Sequence, residues 1–335
     1  MQAIELMEAL ARGEQLDRAC AEQMMDLILG GEQPEPWIAG ALMALRVRGA
    51  TPTEIAGFAA VIRRRGVVIP DVPANVVDSC GTGGGAPSWN LSTGAAILAA
   101  AAGATIAKHG NRAVTSACGS ADVLEALGIS LATTPAEATR ELREAGISFL
   151  FAPSFHPGLR VVAAVRKSLG VRTVFNLLGP LANPAGAKRQ LLGVYDPALV
   201  SPVAEALAEL GTERAWVVCG KDGLDEVSPN APTIVAEVKG SEVSMGELEP
   251  ADFGIKGTVD LAPGSSLQDN AAILRAALTG DSPAASEALV PNAACCLVLA
   301  GLETDLKTAA ERARETIRSE DAGRKLEAWK EVSSR

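Results

Sequence analysis

The chain is poor in the residues most often used for metal and redox work. Only two of its 335 residues are histidine, His109 and His156, and the six cysteines at 20, 80, 118, 219, 295 and 296 form no C-x-x-C pair. No thiol signature of a metal or redox site is left, and the adjacent Cys295 and Cys296 read as small apolar filler, as suits a reducing cytoplasm. Positive charge is also short, with 30 Lys and Arg against 40 Asp and Glu and a net charge of -10. Broad attraction to nucleic acid is therefore disfavoured, and any polyanion site must be a local pocket. The most apolar stretch, Gly94 to Ala107, carries no charge but falls short of the roughly 20 residues a bilayer span requires. It reads as a buried helix and strand. The opening Met-Gln-Ala-Ile-Glu runs straight into charged helical sequence, so no export signal is expected.

What is present is apolar mass. With 48% hydrophobic residues the chain can bury a large core, and its length exceeds one ordinary domain. Residues 1 to about 65 show helical periodicity, in Ile4, Leu6, Met7, Leu10, then Cys20, Met24, Leu27, Ile28, then Ile38, Leu42, Leu45, with breaks at Gly30-Gly31 and Pro34/Pro36. Thr51-Pro52-Thr53-Glu54 predicts a capped helix start. Residues 67–77, with two prolines, resemble a linker. Strand and helix then alternate: strand 76–80, helix 92–102, strand 104–107, helices 120–127 and 135–145, strand 148–151. That alternation predicts an α/β sheet. A helical interruption at 157–169 precedes strands at 190–195 and 214–218, so the chain is expected to revisit the helical region.

Three segments carry the chemistry. Gly81-Thr-Gly-Gly-Gly85 follows a strand-like run and leads through Asn90-Leu-Ser-Thr93 into an apolar helix, so helix-start amides can face an anion. The same glycines would also serve a plain tight turn; one of Asn90, Ser92 and Thr93 is expected to cap the helix while the others reach phosphate or metal. Lys108-His-Gly-Asn-Arg112 is expected at the carboxyl end of a strand, where open α/β sheets place ligands; an exposed basic turn is the bland alternative. Cys219-Gly-Lys-Asp222-Gly-Leu-Asp225-Glu226 places three carboxylates in one turn after a strand, which suits Mg²⁺ better than zinc, unless it is a solvated acidic loop. Arg166 could bind a carboxylate through its planar fork, although an ordinary surface ion pair would look the same.

Taken together, Cys80-Gly-Thr-Gly-Gly84, Asn90-Leu-Ser-Thr93, Lys108-His-Gly-Asn-Arg112, Gly119-Ser-Ala-Asp122, the run Arg172 to Pro184 and Asp222-Gly-Leu-Asp-Glu226 resemble the anthranilate phosphoribosyltransferases, over nearly the whole chain. The resemblance implies an α/β fold with a small all-helical N-terminal domain, 1–70 joined by about 160–185, and a large domain, 71–159 and 186–335, holding a central mostly parallel sheet flanked by helices. It implies a homodimer formed through the helical domain. It further implies transfer of phosphoribose from phosphoribosyl pyrophosphate (PRPP) to the amino group of anthranilate, in tryptophan biosynthesis, with Mg²⁺. Carried over by motif, PRPP would meet Gly81, Gly84, Gly85, Ser88, Asn90, Leu91, Ser92, Thr93, Lys108, Ser116 and Ser120. Anthranilate would meet Gly81, Asn111, His156, Arg166, Gly179 and Pro180. Ser92, Asp225 and Glu226 would hold metal, with Lys108, His109 and Asn111 positioning the reactants.

The chain departs from the family pattern in its glycine loop, where Gly85 replaces an Asp, Ala86 replaces a Gly, and the segment is one residue shorter. Cys219 stands where His is frequent, and Thr115, Leu159 and Ala164 replace Ser, Met and Pro. Two rivals are a pyrimidine nucleoside phosphorylase-like enzyme, whose lysine- and serine-rich phosphate loop is not seen, and a non-catalytic nucleic-acid-binding relative. The retained Asp225-Glu226 and the net charge of -10 oppose the second.

Overall fold

The computed structural model describes residues 2–112 and 118–335. Four helices come first: α1 (Ala3–Ala11), α2 (Arg18–Leu29), α3 (Glu35–Arg48) and α4 (Pro52–Arg65). The predicted start of α4 is capped as expected. The Thr51 hydroxyl accepts from the Glu54 amide, and the Glu54 carboxylate accepts from the Thr51 amide, closing a capping box. Glu54 is fully buried and neutralised by Arg48 at 2.6 Å.

The α/β part follows, with β1 (Val77–Gly81), α5 (Leu91–Ala101), β2 (Ile106–Gly110), α6 (Ser120–Ala126), α7 (Pro135–Glu144) and β3 (Ile147–Phe151). The chain then runs through α8 (Ala152–Phe155), a 3-10 stretch (Pro157–Val162), α9 (Ala163–Leu169) and α10 (Phe175–Leu178). The 3-10 stretch lies against α2, α9 against α3 and α10 against α4. Next come β4 (Arg189–Gly193), α11 (Val200–Glu209), β5 (Arg214–Gly220), β6 (Thr233–Lys239) and β7 (Glu242–Leu248), and finally α12 (Leu267–Thr279), α13 (Pro283–Ala300), α14 (Leu306–Arg318) and α15 (Asp321–Ser333).

The seven strands form one sheet in the order β3-β2-β1-β4-β5-β6-β7, parallel from β3 to β5 and closed by the antiparallel pairs β5-β6 and β6-β7. Strand alternation divides the core. Val77, Ile106, Leu191 and Val218 face α5 and α13, whereas Leu192, Val217 and Ala236 face α11 and the N-terminal helices. Chain order reverses between β1 and β4, which pair in register from Val77 with Arg189 to Gly81 with Gly193. Such a switch point opens a crevice at the carboxyl ends of the strands.

Among the described residues, α13 is the one helix long and apolar enough to cross a membrane by length and composition, but 83% of it is buried in the fold. Packed between α5, α12 and α14, it is a core helix with no polar face to show.

Glu141 of α7 is a buried carboxyl that accepts from Trp329 Nε1 at 3.1 Å, and burial pushes its pKa up to about 7. A carboxyl raised in the folded state supports folding at low pH, and that support is lost as pH rises from the ordinary value of 4.5 through about 7. Glu141→Gln is therefore expected to gain about 2 kcal/mol at pH 8 and nothing at pH 4. Urea unfolding at the two pH values checks this, and equal gains at both would refute it.

Candidate functional site

The crevice is built from glycines because backbone must touch backbone there. At the end of β4, a Cβ on Gly193 would stand 1.6 Å from the Asp225 carbonyl oxygen. No side chain fits, so the acidic turn after β5 lies directly over the ends of β1 and β4. The loop after β1 closes on the same turn: Thr82 N–H donates to the Gly193 carbonyl at 2.9 Å, and Ala86 N–H to the Gly223 carbonyl at 2.7 Å. A Cβ on Gly85 would come within 2.7 Å of Asp225 Oδ1 and of the Gly223 carbonyl. The replacement of the usual Asp by Gly85 thus lets the shortened loop seat on the acidic turn. Arg172 latches it from the other side, donating from Nη2 to the Gly84 carbonyl at 2.7 Å while stacking 3.8 Å over the Tyr195 ring.

Asp225 and Glu226 lie side by side in this turn. Burial raises the pKa of Asp225, opposed by hydrogen bonds from its own amide and from those of Gly83 and Gly85. Burial, and then the charge of Asp225, pushes Glu226 up to about 7. Its Oε1 accepts from Ser92 N–H at 2.9 Å, and its Oε2 is buried without a partner among the described residues. The expectation of a local cap is thereby corrected. Asn90 occupies the N-cap position at φ 70 but makes no cap hydrogen bond, and its Nδ2 donates to the Cys118 carbonyl instead. The carboxyl at the start of α5 is that of Glu226, brought in from the turn after β5, where the helix dipole favours its charged form. Asp222, the third carboxylate of the turn, is spent locally, accepting from Ser228 Oγ at 2.6 Å.

Two adjacent buried carboxylates with one oxygen unpartnered are a donor set for a hard divalent cation, and Ser92 lines the same small cavity. No cage of three His, Cys, Asp or Glu side chains exists among the described residues. The pair alone matches a cation that takes its remaining ligands from phosphate and water. The residues present fit Mg²⁺.

The basic run stands at the carboxyl end of a strand as expected, but the strand is longer than the sequence suggested. Strand β2 extends through Gly110, so Lys108 and His109 lie inside it rather than beyond its tip, and both are buried. Being neighbours on a strand, they point to opposite faces. Lys108 Nζ bonds the Ser79 carbonyl and favours the charged forms of Asp225 and Glu226. His109 turns toward the N-terminal helices, with Nδ1 3.0 Å from the Gly179 carbonyl and its ring edge-on to His156 at 5.2 Å. Two carbonyl partners assign the tautomers, since His109 donates from Nδ1 to Gly179 and His156 donates from Nε2 to Ala182 at 2.8 Å. Burial, with a smaller push from His156, lowers the His109 pKa to about 3, and burial lowers His156 as well. Both rings are neutral at pH 7, leaving His109 Nε2 as a buried acceptor without a partner among the described residues.

On this face Arg166 is half-buried over the Phe175 ring at 5.5 Å, its pKa lowered by burial, with no carboxylate partner among the described residues. The Pro180 carbonyl is held by Gln190 Nε2 at 2.7 Å, and Gln190 and the His109 amide both donate to Asp78, a fully buried carboxylate. The other expected residues spread more widely. Thr93 Oγ1 is buried and unpartnered among the described residues, and Ser88 is half-buried. The Leu91 side chain belongs to the core, which leaves only its backbone at the start of α5. Asn111 is exposed, its carbonyl accepting from Ser120 Oγ at 3.3 Å. Ser116 and Thr115 lie outside the described residues. Sequence reasoning gave no role to Gly193, Gln190, Asp78 or Arg172. The first could have been sought as a glycine ending a parallel strand, and the last lay inside a quoted motif.

Residues 73–323 match the family described as "Glycosyl transferase family, a/b domain" and residues 4–66 the one described as "Glycosyl transferase family, helical bundle domain". The anthranilate phosphoribosyltransferase of Symbiobacterium thermophilum is 44% identical over 332 residues, 98% of this chain and 97% of that one. That of Rubrobacter xylanophilus is 47% identical over 335 residues, 99% and 97%. The chain belongs to the anthranilate phosphoribosyltransferase family. Among solved members, the enzyme of Thermus thermophilus superposes with a TM-score of 0.92 at 40% identity, covering 98% of this chain and 99% of that one. The Saccharomyces cerevisiae anthranilate phosphoribosyltransferase, solved in complex with PRPP and Mg, superposes at 0.87 and 29% identity over 99% and 98%. A helical N-terminal domain and an α/β domain are thus shared with these relatives.

Proposed function

We propose that the protein transfers the phosphoribosyl group of PRPP to the amino group of anthranilate, releasing pyrophosphate, as a step of tryptophan biosynthesis. The observation that carries this reading is the meeting of the glycine loop, the start of α5 and the acidic pair at the switch point, with two neutral histidines, and Arg166 of α9 without a carboxylate partner among the described residues, on the other side of the sheet. One side suits a polyanion with its cation and the other a small aromatic acid. The phosphorylase and nucleic-acid-binding readings find no comparable support.

In this reading Asp225 and Glu226, with Ser92, would hold Mg²⁺, which when bound offsets negative charge on the departing pyrophosphate. Loop amides and the start of α5 favour the same anion. Gly81, Gly84, Gly85, Ser88, Asn90, Thr93, Lys108 and Ser120 surround PRPP. Arg166 pairs with the anthranilate carboxylate, Gly179 and Pro180 border its ring, and His156 and Asn111 complete the pocket. The aromatic amine is already neutral near pH 7, so alignment against the sugar carbon dominates. The low pKa of His109 supports hydrogen-bond acceptance at Nε2 rather than net proton removal. A homodimer through the helical domain belongs to the same reading, supported by Ile4 and Val47, which stand 67% and 83% exposed there.

The test is the fluorescence of anthranilate incubated with the protein, PRPP and Mg²⁺. Loss of signal that requires all three components is expected, and persistence of the signal overturns the reading. Gly85→Asp tests the loop, because it puts a carboxylate where Gly85 now meets Asp225. A several-fold change in the Mg²⁺ concentration giving half-maximal rate is expected, since one more charge shifts local cation affinity by about 1 kcal/mol. Superimposable curves would refute it.

A further inference from the structure

The acid pair is a short segment of a turn, and a turn by itself would not hold two like charges together. Something must fix its backbone. Helix α13 supplies a candidate from the core: directly after Pro291, which cannot donate within the helix, stands Asn292, the one polar amide in the buried stretch 288–300. Its Oδ1 accepts from Val227 N–H at 2.9 Å, and its Nδ2 donates to the Val227 carbonyl at 2.9 Å. One side-chain amide satisfies both polar groups of one residue, as a neighbouring strand would. Val227 is fully buried and immediately follows Glu226.

We propose that Asn292 is a positioning residue for the cation site, fixing Asp225 and Glu226 through the backbone of Val227. Resting on the reading of that pair as cation ligands, the proposal adds how they are held. Both polar atoms of Asn292 are engaged by Val227, which orients its amide toward the backbone of the turn. On the other side of the turn the Asp225 carbonyl is pressed against Gly193, and Ser92 N–H holds Glu226 Oε1. Asn292, Glu226, Asp225, Ser92 and Ser79 line a cavity of about 10 Å³, which is room for a single water beside the unpartnered Glu226 Oε2 and Ser79 Oγ. The turn is thus pinned at three points, by the end of β4, by the start of α5 and by Asn292 of α13. Its amide is chemically specific. Leucine of similar volume would leave the Val227 N–H and carbonyl both unpaired, and aspartate could accept but not donate.

The experiment measures Mn²⁺ bound to the full chain in the presence of pyrophosphate, read by electron paramagnetic resonance of free Mn²⁺. Asn292→Leu is expected to weaken Mn²⁺ at least about tenfold, and Asn292→Asp, which keeps half the clamp, to fall between it and the wild type. Ser286→Ala is the control: the Ser286 hydroxyl also lies buried on α13, six positions before Asn292, and donates to the Ala277 carbonyl of α12 at 2.7 Å rather than to the acidic turn. It should lower Tm without moving Mn²⁺ affinity. If both Asn292 variants lose Tm like Ser286→Ala yet bind Mn²⁺ as the wild type does, the proposal is overturned. Glu226→Gln separates the two readings. Unchanged Mn²⁺ binding in that variant overturns the metal assignment itself, whereas its loss beside intact binding in the Asn292 variants overturns only the positioning role.

Discussion

Glu226→Gln is expected to lower kcat/KM for PRPP by about a hundredfold or more while making the protein no less stable. The two effects have one origin. Glu226 is held beside Asp225 with an unpartnered oxygen, so in the absence of a cation two like charges confront each other in a confined space. The glutamine keeps Oε1 to accept from Ser92 N–H and removes the repulsion. What it cannot do is bind a divalent cation with comparable strength, and electrostatic stabilisation of a leaving anion is commonly worth about 3–4 kcal/mol, or 10²–10³ in rate. Steady-state kinetics at saturating anthranilate, with thermal melts at pH 8, check both halves. A fall in Tm of several degrees together with the lost activity would mean that Glu226 is a structural cap for α5 and no ligand.

For the acceptor, Arg166→Ala is expected to raise KM for anthranilate between about 10- and 100-fold and to change KM for PRPP less than about twofold. A charge-assisted hydrogen bond is worth about 1.5–3 kcal/mol, and each 1.4 kcal/mol is a factor of ten. Arg166 has no carboxylate partner among the described residues and pays a desolvation penalty that lowers its pKa, a position that a bound carboxylate would relieve. Arg166→Lys should recover little of the loss, because an ammonium cannot present the planar fork and the stack on Phe175 disappears. An unaltered anthranilate KM in the alanine variant would remove Arg166 from the site.

How far the sequence could be read depended on whether a feature was local. The capping box at Thr51, the alternation from β1 to β3 and the acidic turn after β5 all rest on contacts within a few residues, and all appear in the structure close to where they were expected. Helix α13 escaped notice because periodicity is visible only when one face is polar, and this helix is buried nearly all round. The cap on α5 escaped for a different reason: its acceptor, Glu226, lies 134 residues away, so no inspection of Asn90 to Thr93 could reveal it. Lys108 and His109 stand at the carboxyl end of β2 as expected, but that the strand runs on through them was not legible, because a buried polar strand end looks like a loop in sequence. Their burial is tolerated only because the Ser79 and Gly179 carbonyls receive them. Gln190 and Asn292 were invisible as isolated amides, having meaning only through the backbone carbonyls and amides they meet.

The alternation along β2 also makes the region unusually intolerant of insertions and deletions. Because adjacent positions there serve opposite sides of the sheet, one residue added or removed between Gly103 and Lys108 would swap the ammonium and the imidazole, pointing each to the other's face of the sheet. Point changes in this strand can damage one half-site at a time, but a frame slip of a single codon in phase would disable both together, so length variation in evolution should be confined to the turns on either side.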